Sequence, residues 1–140
     1  MTIQQGQCTI FKQNCLSANE DFSAGTPYVY KMALYNANAD LSFATLEYTT
    51  VNEVSGTGYT AGGKVLVNPT LNVYDQTAYV SFDNITWVGV SFTCRGALIY
   101  NSTTNAAVAV INFGSDKTAG PNFTVTFPTN SYSTAIIRFS

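Results

Sequence analysis

From Tyr28 onward the chain is written as short runs of β-branched and aromatic residues, broken by turn formers at close intervals. Helices of ordinary length do not fit between such breaks, whereas the strands of an antiparallel sandwich or barrel do. In Asn122-Phe123-Thr124-Val125-Thr126-Phe127 the apolar residues fall on one face and the polar ones on the other, the period of a half-buried strand. Strands are predicted at 28–35, 64–67, 72–74, 78–82, 88–93, 97–100, 106–113, 122–127 and 135–139. The run 106–113 is apolar at nearly every position, which predicts a central strand covered on both faces, part of that cover coming from a partner. Trp87 is placed at the centre of the core.

One helix precedes the strands. Over 7–18, Cys8, Phe11 and Cys15 recur at spacings of three and four beside Leu16, forming one apolar stripe with Lys12, Gln13 and Asn14 turned outward. The segment 20–27 reads as a linker, and a further turn of helix is predicted within 39–48 from the spacing of Leu41, Ala44 and Tyr48. The predicted fold is therefore all-β, a β-sandwich of jelly-roll or Ig-like type with a short N-terminal helix. It divides into a helix-and-linker arm at 1–27 and a sandwich domain at 28–140.

The surface of such a domain would be unusual. Charged residues make up 10% of the 140, against roughly 25% in an average soluble domain. Neutral Ser, Thr, Asn and Gln take their place, as in Asn101-Ser102-Thr103-Thr104-Asn105, and they cost less to desolvate than ions do. That suits large permanent contacts. A net charge of −2 provides no basic footprint, so nucleic acid is not an expected partner. No apolar run approaches the roughly 20 residues that span a bilayer, and no membrane partner is expected. Residues 1–7 lack the basic start and apolar core of a secretory signal, which points to a reducing cytoplasm. The sequons at Asn84, Asn101 and Asn122 are then chance matches. Three cysteines, an odd number, do not close a disulfide framework, and Cys8, Cys15 and Cys94 are expected as free thiols indifferent to zinc and reductant.

Little in the chain points to chemistry. Without histidine there is no Ser-His or Cys-His nucleophile and little scope for catalytic zinc. The cysteines form no CxxC pair. Among the carboxylates, Glu20 and Asp21 adjoin in the linker, while Asp75, Asp83 and Asp116 sit where turns want side-chain acceptors. In the loop 49–63, four glycines within eight residues (Gly56, Gly58, Gly62, Gly63) permit positive φ angles and give the loop a fixed shape. It lacks the third glycine of a dinucleotide fingerprint, and Gly62-Gly63-Lys64 precedes Val65, where a phosphate loop needs Ser or Thr. Its Glu53, a lone carboxylate, makes a poor calcium cage. Tyr28, Tyr30, Tyr35, Tyr48 and Tyr59 could stack on a sugar, but with one Trp in the chain the core reading of these tyrosines is preferred. No catalytic residue, cofactor or metal is expected. The candidate protein-contact residues are Cys8, Phe11 and Cys15 of the helix and Gly56, Gly58, Tyr59 and Gly62 of the loop.

Several segments carry a resemblance. Lys31-Met32-Ala33-Leu34-Tyr35, the long motif from Tyr48-Thr49-Thr50 to Ala61-Gly62-Gly63, Phe92 to Asn101, Ala107 to Lys117, Phe123 to Pro128 and Ala135 to Arg138 together resemble the small virion-associated structural proteins of tailed bacteriophages. The N-terminal Cys8-Thr9-Ile10-Phe11-Lys12-Gln13 is similar to the start of that family, and Cys94 departs from it where a small residue such as Ala would be usual. The resemblance implies a non-enzymatic virion protein made in a bacterial cytoplasm. Its leading form is a capsid decoration, or cement, protein that binds the major capsid protein, expected as a homotrimer docked through the N-terminal arm. The alternative is a tail or fibre component that binds a host-surface glycan.

Overall fold

The computed structural model of the protein describes residues 2–23 and 25–139. It is mostly β, 45% strand against 6% helix, with one short helix and several antiparallel sheets. In chain order the elements are β1 (Gly6–Gln7), α1 (Thr9–Leu16), β2 (Tyr30–Tyr35), β3 (Lys64–Val65), β4 (Thr70–Tyr74), β5 (Thr77–Ser81), β6 (Ile85–Val88), β7 (Phe92–Asn101), β8 (Ala106–Ala119), β9 (Asn122–Val125) and β10 (Ile137–Phe139). They form a five-stranded sheet in the order β1-β8-β7-β2-β3, a three-stranded sheet β10-β5-β4, and a pair β6-β9.

The core lies on the middle of the five-stranded sheet. Met32, Ala33, Leu34 and Tyr35 of β2 are fully buried, as are Ala97, Leu98 and Ile99 of β7. Consecutive buried residues mean that both faces of these strands are covered, which their near-continuous apolar sequence requires. The same holds for Ala107 to Val110 of β8. Here the cover is supplied by the chain itself. Cys8 donates its backbone N–H to the Val108 carbonyl at 2.9 Å, and α1 packs against β8 directly after it. The outside partner expected over this strand is not needed.

The N-terminal segment also makes contacts of its own with the sheets. Gly6 and Gln7 pair with Val110 and Ala109. Phe11 is 1% exposed and meets the rings of Phe22 and Phe139 at 5.8 and 5.6 Å. Cys8 is fully buried, while Leu16 is almost wholly exposed. The linker is pinned as well. Glu20 Oε1 accepts hydrogen bonds from the Tyr30 hydroxyl and the Asn101 side-chain amide, each at 2.9 Å, and Asp21 N–H donates to the Tyr30 oxygen at 3.0 Å. Residues 2–22 thus pair and pack with the strands that follow, because the apolar stripe finds its partner within the chain.

The predicted strands are found with shifted ends and two changes. The strand predicted at 88–93 does not exist. Gly89, at φ +68°, turns the chain between β6 and β7, which continues through the 97–100 run as one strand of ten residues. Strand β8 runs past residue 113 to Ala119, because Gly114-Ser115-Asp116, which reads as a turn, is a bulge opposite Arg95. Asp116 therefore sits in that bulge, with its carboxylate 3.8 Å from the Arg95 guanidinium. No helical turn forms within 39–48, where Ile3 bridges to Leu41 and Glu47 to Ala106. Trp87 is buried on β6 and meets the Phe123 ring at 6.1 Å across the β6-β9 pair.

One link between the sheets is made by a side chain. The Gln7 amide donates to the Arg138 carbonyl at 2.9 Å and accepts from the Arg138 N–H at 3.0 Å. Gln7 therefore bonds to the free edge of β10 as a neighbouring strand would, and joins the edge of one sheet to the edge of the other.

Phe11→Ala should lower stability by about 3–5 kcal/mol, the range for emptying a packed aromatic site. A thermal melt within a degree or two of the parent would show that α1 is not part of the core.

Candidate functional site

The loop 49–63 is built around one carboxylate. Glu53 lies against the end of β2, bridged to Tyr35, where Val54 N–H donates to the Leu34 carbonyl at 2.9 Å and Asn36 N–H to the Asn52 carbonyl at 3.0 Å. Its Oε1 accepts the Tyr48 hydroxyl at 2.5 Å, and its Oε2 accepts both the Tyr59 hydroxyl and the Gly62 N–H, the latter at 2.8 Å. Around this centre the bonds continue outward. The Tyr59 oxygen accepts the Leu34 N–H at 3.0 Å, the Tyr35 hydroxyl donates to the Thr49 carbonyl at 2.6 Å, and the Tyr100 hydroxyl donates to the Gly62 carbonyl at 2.6 Å. Tyr48 and Tyr100 stack at 4.7 Å. The carboxylate thus binds the two ends of the loop, Tyr48 and Gly62, to each other and to the central strands.

Glycine is required where the loop presses on its neighbours. Gly63, at φ +81°, comes so close to β2 that a Cβ would lie 1.8 Å from the Met32 carbonyl oxygen. At Gly58, φ +82°, a Cβ would meet the Gly89 carbonyl at 2.7 Å. Gly62 also has positive φ, as expected for the loop. The opposite strand of the contact is the β6–β7 connection, where Ser91 N–H donates to the Thr57 carbonyl at 3.0 Å.

The electrostatics follow from burial beside a carboxylate. Burial pushes the Tyr59, Tyr48 and Tyr35 phenols well above the ordinary tyrosine range, and Glu53 adds to the effect in each. Tyr100 is pushed up to about 12 by burial and then by Glu53. Phenols held in this way donate hydrogen bonds and stay protonated. Such a cluster fixes a shape. Its donors and acceptors are occupied by one another, and a surface groove of about 530 Å³, lined by Gln5, Gln7, Tyr132 and Arg138, lies elsewhere.

The sequence-chosen contact residues do not converge. Cys8 and Phe11 are buried in the core and Cys15 is half-buried, with burial pushing the Cys8 and Cys15 thiols up to about 11. Burial likewise pushes Cys94 up to about 12. Of the loop residues, Gly56 and Gly58 are exposed, whereas Tyr59 is half-buried and Gly62 buried. The residues missed from sequence are Tyr48, Tyr100 and Glu53 acting together. The available signal was a single acid in a tyrosine-rich motif without a basic residue to pair with it.

Tyr59→Phe should cost about 1–3 kcal/mol in a urea melt, since it leaves the Leu34 N–H without its acceptor. Alkali gives an independent check. A raised phenol binds its proton more tightly in the folded chain, so this stabilisation is complete below pH 10 and is lost as the pH rises through about 12. Stability flat across that window would contradict the cluster. Comparison with protein-family models, curated proteins and solved structures finds no match to this chain.

Proposed function

We propose that the chain is a structural, non-enzymatic protein of a tailed-bacteriophage particle, seated as a decoration protein on the outside of the capsid. The observation that carries the reading is its surface. In a chain with 10% charged residues, Phe43, Leu46 and Val51 stand 62%, 65% and 67% exposed along one connection. Large apolar side chains left in water suit a contact with a partner, and these three are the residues assigned to it. Their backbone is fixed to the body: Thr9 N–H donates to the Phe43 carbonyl at 2.8 Å and Ala107 N–H to the Leu46 carbonyl at 3.0 Å. Phe43 and Leu46 are therefore held in place by α1 and β8. Docking onto a capsid protein would bury these side chains while stripping few ions of water.

The three sheets are read here as the layers of a sandwich of jelly-roll or Ig-like kind. Support for this comes from the shared core, in which Phe82, just after β5, meets Phe22 at 6.0 Å and Tyr30 at 6.2 Å.

The test is binding to capsids. Wild-type protein should co-sediment with undecorated capsids at a fixed ratio to the major capsid protein. A Phe43→Asp, Leu46→Asp double variant should lose that binding, with its melting temperature unchanged. Antibody labelling confined to the tail of purified virions would replace the capsid reading with the tail or fibre one.

A further inference from the structure

The two edges of the three-stranded sheet are treated differently. At β10, the Gln7 amide occupies the outward N–H and C=O of Arg138. At the other edge, β4 has all five residues exposed, with Leu71, Val73 and Tyr74 at 53%, 73% and 57%. Natural edge strands are guarded by lysine, proline, a bulge or a covering segment. Thr70-Leu71-Asn72-Val73-Tyr74 contains neither Lys nor Pro and pairs with β5 residue for residue. Upstream, Lys64 is turned away from this edge, its Nζ donating to the Thr86 carbonyl.

We propose that β4 is the pairing edge for a second copy of this chain, joined antiparallel about a twofold axis at Asn72. The hydrogen-bond phase selects this register. Because Arg138 directs its backbone groups away from β5 to Gln7, Ile137 and Phe139 bond to Val80 and Ala78. Residues 77, 79 and 81 of β5 then bond to their β4 partners Tyr74, Asn72 and Thr70. The N–H and C=O groups of Leu71 and Val73 are left pointing outward. An axis at Asn72 sets Leu71 opposite Val73 of the other copy, and Val73 opposite Leu71, so that four backbone hydrogen bonds form together.

Side chains match under the same operation. Leu71 and Val73 of the two copies share one face, and the Asn72 amides meet on the other, where each can donate to its twin. The edge carries no charge, so none is desolvated. Next to this strand, Val67 is 48% exposed, its carbonyl accepting the Asp83 N–H just beyond β5, and Tyr132, half exposed, stacks on Tyr74 at 4.6 Å. The proposal concerns the isolated chain and stands apart from the capsid reading.

Sedimentation velocity on the full chain should show a dimer at micromolar concentration. Val73→Lys, at an exposed position, should sediment as a monomer with an unchanged melting temperature. Cross-linking fixes the register independently of that variant. In this pairing Asn72 faces Asn72 as a non-hydrogen-bonded pair, about 4.5 Å between Cα atoms, which a disulfide can span. Asn72→Cys in a Cys15→Ser background should therefore cross-link to a covalent dimer under mild oxidation, and Thr70→Cys should not. A wild-type chain that stays monomeric, a trimer, or a Val73→Lys chain that still dimerises would each overturn the proposal. So would a monomer whose Val73→Lys variant loses only capsid binding, since the edge would then belong to the capsid protein.

Discussion

The structure turns on the Glu53 carboxylate. Four residues converge on it or on its immediate partners from different parts of the chain: Tyr48 and Gly62 from the two ends of the loop, Tyr59 from within it, and Tyr100 from β7. An acid placed here without a cation has to be satisfied by neutral donors, and the loop is shaped to supply them. The close approach of Gly63 to Met32 follows from that shape, as does the contact of Gly58 with the β6–β7 connection. Removing the carboxylate would leave two half-buried phenols and the Gly62 amide without their acceptor, so the shape of the loop depends on one side chain.

The same economy marks the rest of the molecule. With few ions available, many polar groups are paired with amides, hydroxyls and single carboxylates. Asn101, fully buried, receives Thr103 and Thr104 N–H groups on its Oδ1 and donates to Glu20. Among the described residues a single ion pair, Arg95 with Asp116, spans the bulge of β8, and both groups are substantially exposed. An exposed pair of this kind adds little stability. Cohesion comes instead from apolar burial and from amide and hydroxyl networks, which leaves the exterior with few strongly hydrated groups.

Much of the β architecture was legible in the sequence because strand periodicity is a local property. The alternation in 122–127 places Val125 and Phe127 inside, and both are buried. The errors occurred where local pattern and long-range contact disagree. The stripe of Cys8, Phe11 and Cys15 correctly marks a helix, but periodicity carries no information on what covers the stripe, and Val108 and Phe139 lie far along the chain from it. Gly114-Ser115-Asp116 has the composition of a turn and is a bulge because β7 offers Arg95 opposite. The helical spacing of Leu41, Ala44 and Tyr48 yields to Tyr48's pull toward Glu53 and to the Glu47 bridge with Ala106. The Glu53 cluster was partly legible, since Tyr48, Tyr59 and Gly62 lie within nine positions of Glu53, but Tyr100 lies 38 positions from Gly62.

The hydrogen bonds between the Gln7 side-chain amide and the Arg138 backbone join residues 131 positions apart. Closing so large a loop is entropically disfavoured until other contacts have shortened it, whereas the β4–β5 hairpin closes over two residues. Loop closure alone therefore favours the β4–β5 hairpin over the Gln7–Arg138 join, which becomes cheap to make only once other strands have brought the two ends of the chain together.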